Sequence, residues 1–307
     1  MDIIVFSDDY NWKGHPSSSM HLANELLKEH RLIWFNVIYR PPTLSMADLR
    51  RTVSKLGEML SSGPEEPPPG LNITVRSPFT IPFFVEPVRT LNRLAFRRTL
   101  RELDASLKLD QPVVIATNPF AVDFVRETRP WPAFYYCVDD YSEYPGVSRA
   151  AAISLERELL ETVDGVAATA MRLLETRRAG KNPLYLPHGV DVEHFASAAR
   201  GERRDAAPVI GFFGLLSDWV NVDYIARLAQ LRPAWTFEML GRIDTDVTVL
   251  SSLPNVKFTK PVPFAQLPAA ASSFDVALIP FRINDLTLAV NPLKLLEYFA
   301  MGLPVVS

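Results

Sequence analysis

The sequence predicts an α/β protein made of two doubly wound parallel sheets joined by a linker. Three observations carry this. Short apolar runs, rich in β-branched and aromatic residues, recur along the whole chain. Helix-length amphipathic stretches separate them, and one polar stretch, ASAARGERRDAA (196–207), interrupts the series. Strands that read apolar throughout are covered on both faces, and the intervening helices supply the cover. A length of 307 residues suits two domains better than one.

The first series opens with a strand at 2–7. MDIIVFSDD has no basic lead and too short an apolar run for a secretory leader. A helix at 17–29, a strand at 32–38 and the solvated loop SSGPEEPPPG (61–70) follow. Strands at 72–76, 112–117, 133–138, 164–169 and 183–187 alternate with helices at 86–108 and 148–163. LPHGVDVEHF (186–195) closes the series. The expected division is a Rossmann-like domain over 1–190, a linker over 191–207 and a second Rossmann-like domain over 208–307. The second series has strands at 208–213, 236–240, 255–258, 275–280 and 304–306, with helices at 220–232 and 291–301. Two such domains would face a cleft lined by strand-to-helix loops, because ligands of open α/β sheets bind beyond the carboxyl ends of the strands.

Composition narrows the function. A net charge of -3 gives no global attraction to nucleic acid, so no nucleic-acid partner is expected. The single cysteine, Cys137, excludes an internal disulfide framework, and its apolar setting reads as a buried structural thiol. No apolar run approaches the ~18 residues of a bilayer span, and a cytoplasmic location is expected.

The helix at 291–301, NPLKLLEYFAM, is bracketed by Asn291 as N-cap, Pro292 at the first helical position and Gly302 as its stop. Lys294 in the first turn opposes the helix dipole, and Glu297 follows in the less favourable order for an i,i+3 pair. Stability did not choose these residues. A bound anion explains the lysine, since free N–H groups and an ammonium make a phosphate site. Glu297, one turn deeper, would accept hydrogen bonds from vicinal hydroxyls such as those of a ribose. The alternative is an ion pair on a wet face. Leu293, Leu295, Leu296, Phe299 and Met301 leave little wet face.

These residues resemble a known family. PLKLLEYFAMGLPVV looks like the donor-binding motif of GT-B glycosyltransferases, in particular the retaining group called family four. IGFFGLLSDW (210–219) resembles the first strand and loop of their C-terminal domain, residues 254–281 its middle, and LPHGVD (186–191) the interdomain hinge. FYYCVDDYSEY (134–144) resembles an N-domain strand whose following loop faces the donor sugar. The resemblance implies that Lys294 contacts the diphosphate and Glu297 the ribose of a nucleotide-sugar, with Asn291, Pro292 and Gly214 beside them. Two departures stand out. Ala289 occupies the place of the first glutamate of an E-x7-E pattern. Leu215, Leu216 and Ser217 occupy a loop that often carries Arg and Lys. Arg242 or Arg282, each following a strand, would supply the missing charge, or each is a surface arginine.

In the first domain, Gly14 permits close backbone approach, while Ser17 and Ser18 offer hydroxyls or cap chemistry. His15 would touch a substrate or stay solvated. Asp139 and Asp140 end an apolar strand, where a carboxylate contacts sugar hydroxyls or stabilises an oxocarbenium ion, although one of the two is expected to cap the next turn. The Asp244–Asp246 pair reads as helix-start chemistry and not as a metal motif, so no metal is expected. GFFG (211–214) is not a dinucleotide fingerprint. The segment 83–108 carries Arg89, Arg93, Arg97, Arg98, Arg101 and Lys108 on a helix. It would either lie on an anionic membrane or be a domain helix with a solvated basic face.

The expectation is therefore a metal-independent, retaining glycosyltransferase of hexosyltransferase type. It would move a sugar from a nucleotide-diphosphate donor, its co-substrate in place of any cofactor, to a saccharide or lipid-linked acceptor, in polysaccharide or glycolipid synthesis. A non-catalytic nucleotide-sugar-binding module and a non-hydrolysing sugar-nucleotide epimerase are the alternatives. Because relatives continue past the PVVS strand, the chain is expected to lack ~60 residues, enough for one more αβ unit and a return helix.

Overall fold

The computed structural model describes residues 1–8, 10, 16–37, 70–144, 146–177, 183–198 and 207–307. They form two compact units that divide between Pro187 and His188. Gly14, His15 and nearly all of the proline-rich loop lie outside the described residues.

The first unit runs β1 (Asp2–Ser7), α1 (Ser18–Leu26), β2 (Arg31–Asn36), β3 (Ile73–Arg76), α2 (Val88–Leu107), β4 (Val113–Ala116), α3 (Val122–Glu127), β5 (Ala133–Cys137), α4 (Arg149–Thr162), β6 (Gly165–Ala168), α5 (Met171–Thr176) and β7 (Leu184–Tyr185). The strands make one parallel sheet in the order β3-β2-β1-β4-β5-β6-β7. All of β1 is buried, as its unbroken apolar run requires. The order reverses between β1 and β4, where Ile4 faces Ile33 on one side and Val114 on the other. Reversal opens a crevice at the carboxyl ends.

The second unit runs α6 (Val192–Ala196), β8 (Val209–Phe213), α7 (Val222–Leu231), β9 (Thr236–Leu240), α8 (Thr248–Ser251), β10 (Val256–Thr259), α9 (Leu267–Ala270), β11 (Val276–Leu278), α10 (Asp285–Leu288), α11 (Leu293–Ala300) and β12 (Val305–Val306). Its strands are parallel in the order β10-β9-β8-β11-β12, with the reversal between β8 and β11.

Each expected strand lies within two residues of the observed one. The short α3 and α5 were not read from the sequence, because six residues are too few for an apolar period to repeat. The linker expected over 191–207 begins instead with α6. Asp191 caps that helix by accepting from His194 N, and Phe195 is fully buried in the second unit's core.

Arg89 and Arg93 of α2 face inward, whereas Arg97, Arg98 and Arg101 are exposed. Arg89 is bidentate to Asp123 on α3 and also pairs with Glu158 on α4, so one guanidinium binds three helices. Arg93 reaches Asp123 and Glu86, and Arg97 reaches Glu127. The apolar spacing of α2 divides in the structure. Phe96, Leu100 and Leu103 are buried, whereas Leu91 and Leu94 are exposed beside exposed Phe79, Phe83 and Val85. Among the described residues no helix is long and apolar enough to cross a membrane.

Candidate functional site

The reversal in the second sheet places the end of β8 against the start of α11. Tyr298 makes the connection. It is fully buried, its hydroxyl accepts from Phe213 N at 3.0 Å, and its ring lies 4.5 Å from that of Phe213. The other end of α11 is locked by a left-handed Gly302 (φ 70°), with Gly302 N donating to Phe299 O and Leu303 N to Tyr298 O. Phe213, Phe274, Ile279 and Leu303 surround this helix.

Its first turn differs from the sequence reading. Pro292, not Asn291, is the cap residue, and Leu293 is the first helical residue. Proline has no side-chain acceptor, so the cap residue itself leaves the opening N–H groups without a side-chain cap. Those donors, at the positive end of the dipole, are available to an anion.

Lys294 lies along Gly214. A Cβ at Gly214 would collide with Lys294 Cε and would stand 2.8 Å from Nζ. Gly214 also has φ 126°, a conformation side chains disfavour. Gly241, at the end of β9, crowds the same turn, since a Cβ there would strike the Gly214 carbonyl. The lysine ammonium sits 5.8 Å from the Phe212 ring centroid. Three strand-end features thus shape a bed for one side chain.

Among the described residues, neither Lys294 nor Glu297 has a hydrogen-bond or ion-pair partner. Glu297 is only 8% exposed. Burial pushes its carboxyl up to about 7, against the opposing pull of Lys294. Burial likewise pushes the Lys294 ammonium below its ordinary range, with Glu297 opposing. The two are not the wet-face ion pair of an ordinary helix. A buried carboxyl and a half-buried ammonium, neither hydrogen-bonded among the described residues, suit a ligand that brings an anion and hydroxyls.

The remaining donor-side candidates are dispersed. Arg242 is exposed, and its carbonyl accepts from Leu216 N. Arg282 is exposed and stands 4.0 Å from Asp223. Asp246 Oδ1 accepts from Thr248 N and Oγ1 at the start of α8, and Thr245 donates to Asp218. No group of three His, Cys, Asp or Glu suited to a metal occurs among the described residues.

In the first unit, Ser17 caps α1 by accepting from Met20 N, and Ser18 is the first residue of that helix. Asp139 and Asp140 are treated differently by the fold. Asp140 caps the turn Tyr141–Glu143, accepting from Ser142 N and Oγ through Oδ1, while Oδ2 pairs with Arg177 at 3.0 Å. Asp139 Oδ2 accepts from the Tyr144 hydroxyl at 2.6 Å, and burial raises its carboxyl to about 6. Cys137 is fully buried, and burial pushes its thiol up to about 12, so it is not a nucleophile.

Sequence reasoning missed Tyr144, Arg177, Glu156, Tyr298 and Gly241. Tyr144 shares the YSEY turn with Asp140, a weak local signal. The others act through pairings that only the sheet order creates.

Known proteins share this fold. Residues 207–307 match the family of glycosyl transferases group 1. A protein of Bacillus subtilis described as a teichuronic acid biosynthesis glycosyltransferase, TuaH, is 30% identical over 139 residues, 42% of this chain and 35% of that protein. The match therefore spans about a third of the length of that relative. A sucrose-phosphate synthase from Thermosynechococcus elongatus superposes with a TM-score of 0.70 at 12% identity, covering 99% of this chain and 80% of that one. A Staphylococcus aureus TarM variant in complex with fondaparinux, α-GlcNAc-glycerol and UDP gives 0.62 at 9% identity, over 99% and 85%. An Escherichia coli trehalose-6-phosphate protein bound with UDP-2-fluoro glucose gives 0.61 at 12%, over 98% and 82%. The chain has the GT-B fold, and residues 207–307 of its second unit are similar to the group 1 glycosyltransferases.

Proposed function

We propose that this chain transfers a sugar from a nucleotide-diphosphate donor to an acceptor hydroxyl. The observation that carries the reading is the unpartnered pair Lys294 and Glu297 on the uncapped first turn of α11, with the lysine laid over Gly214. The ammonium and the free N–H groups neutralise charge that accumulates on the departing diphosphate, the main electrostatic task of the reaction. Glu297 accepts hydrogen bonds from the ribose hydroxyls. In the first unit, Asp139 contacts a sugar hydroxyl, while Asp140 is committed to its turn. Transfer proceeds with retention and without a metal, the leaving phosphate assisting the acceptor proton. Arg242 and Arg282, both exposed, would add charge only by swinging toward the phosphates. The TarM complex contains fondaparinux, α-GlcNAc-glycerol and UDP, which supports a saccharide acceptor here. The exposed Phe79, Phe83, Val85, Leu91 and Leu94 favour the lipid-linked form.

One observation favours a second reading. Ala289 is buried and offers no carboxylate, so the chain would bind donor without transferring it. A panel of UDP-, GDP- and ADP-sugars, assayed with saccharide acceptors in the presence and absence of anionic vesicles, decides between them. Transfer that falls at least about tenfold in Lys294→Ala and Glu297→Ala is expected, the size of a lost charge-assisted contact. Transfer unaffected by either substitution would refute the assignment, and binding without turnover would establish the second reading.

A further inference from the structure

We propose that Arg177 is a positioning residue for the reaction: it grips Asp140 from outside the turn and thereby aims Asp139 at the sugar. The inference rests on the reading of Asp139 as the sugar-contacting carboxylate.

Arg177 follows α5, is 7% exposed, and lies far in sequence from the turn it holds. Its Nη2 is 3.0 Å from Asp140 Oδ2, and its Nε donates to Glu156 Oε1 on α4 at 3.1 Å. Nη1 donates to Thr176 Oγ1 at 2.7 Å, which fixes the guanidinium plane. Glu156 Oε1 also accepts from Tyr135 Oη in β5 at 2.8 Å. One buried guanidinium therefore ties the 139–144 turn to α4, α5 and β5.

A structural ion pair alone explains little of this. Buried pairs add little net stability over apolar packing, yet they fix geometry. Here the fixed geometry has a visible result. With Asp140 held by Ser142 and Arg177, the neighbouring Asp139 keeps one oxygen on Tyr144 and, among the described residues, the other without a hydrogen bond. The ionisable groups around Asp139 are Tyr144 and Asp140 on its own turn, Cys137 of β5, whose thiol donates to the Asp139 carbonyl, and, behind Asp140, Arg177 and Glu156. Neutralising Asp140 limits the repulsion that would otherwise protonate Asp139.

The test uses the full chain with Arg177→Lys, which keeps the charge and loses the fork, and the double variant Glu156→Gln/Arg177→Met, which leaves no buried Glu156 charge unpaired. Two readouts are taken: kcat and donor KM, and the 13C carboxyl titration of Asp139, identified by its loss in Asp139→Asn. Positioning requires kcat to fall by about 10- to 100-fold with donor KM unchanged, as misaimed groups do. It also requires the Asp139 midpoint to rise in the double variant. Variants that only melt earlier, with kcat and midpoint unmoved, overturn the proposal, as does failure of both to fold. The titration is independent of turnover: if the wild type transfers no sugar, a midpoint raised in the double variant would keep Arg177 as the group that holds Asp140 and Asp139 and would discard the glycosyl-transfer reading instead.

Discussion

At Glu297 the chain holds a carboxyl where a carboxylate is expensive. Its value rises from the ordinary 4.5 to about 7, and the cause is burial, incompletely offset by Lys294. The folded state therefore binds the proton more tightly than the unfolded chain does. Stability from this group is fully present below about pH 4.5 and is lost as pH rises through about 7. Between pH 5 and 8 that loss is about 2–3 kcal/mol for a buried group. Glu297→Gln is expected to flatten this part of the profile, measured by urea unfolding at both pH values, and to leave the smaller slope of the same sign that Asp139 contributes. Equal slopes in wild type and variant would mean that Glu297 is not enclosed as described. The lysine and glutamate were legible from the sequence as residues that helix stability does not favour. Gly214 was legible only through family resemblance, because the side chain that needs its missing Cβ lies far along the chain.

At the scale of elements, the site depends on α11 being held to the end of β8, and Tyr298 is the tether. Tyr298→Phe removes the acceptor of Phe213 N in a buried setting and is expected to cost about 1–3 kcal/mol. Donor affinity is expected to fall with it, because Lys294 is aimed by the same helix. Phe299→Ala, one residue on but 58% exposed, is expected to change stability by under about 0.5 kcal/mol. Comparable losses from both substitutions in denaturant melts would remove the tether argument. Helix and strand positions were readable because long apolar runs and clear breaks mark them. The cap of α11 was not. Asn291 and Pro292 both suit a helix start, and the one-residue difference decides whether the opening N–H groups are capped or open. Asp140 shows the same limit from the other side: two adjacent carboxylates look alike in sequence, and only the return of Arg177 to the strand end separates their roles.

At the scale of the molecule, two parallel sheets each reverse their strand order, and Gly214, Lys294 and Glu297 collect at one reversal, between β8 and β11. The sequence showed two αβ series but no strand order, because register and order are set by which apolar faces meet, not by local pattern. The linker shows a related limit: α6 ends where the polar run begins and has only five residues, too few for an apolar period to repeat, yet its Phe195 docks into the second core. The central claim is that α11 holds a diphosphate through Lys294. Calorimetric titration of UDP, GDP and ADP, each beside its monophosphate, into wild type and Lys294→Met tests it most directly. One diphosphate should bind at least about tenfold more tightly than its monophosphate, and the substitution should erase that preference. Binding of no nucleoside diphosphate, or a preference that survives loss of the ammonium, would contradict the claim.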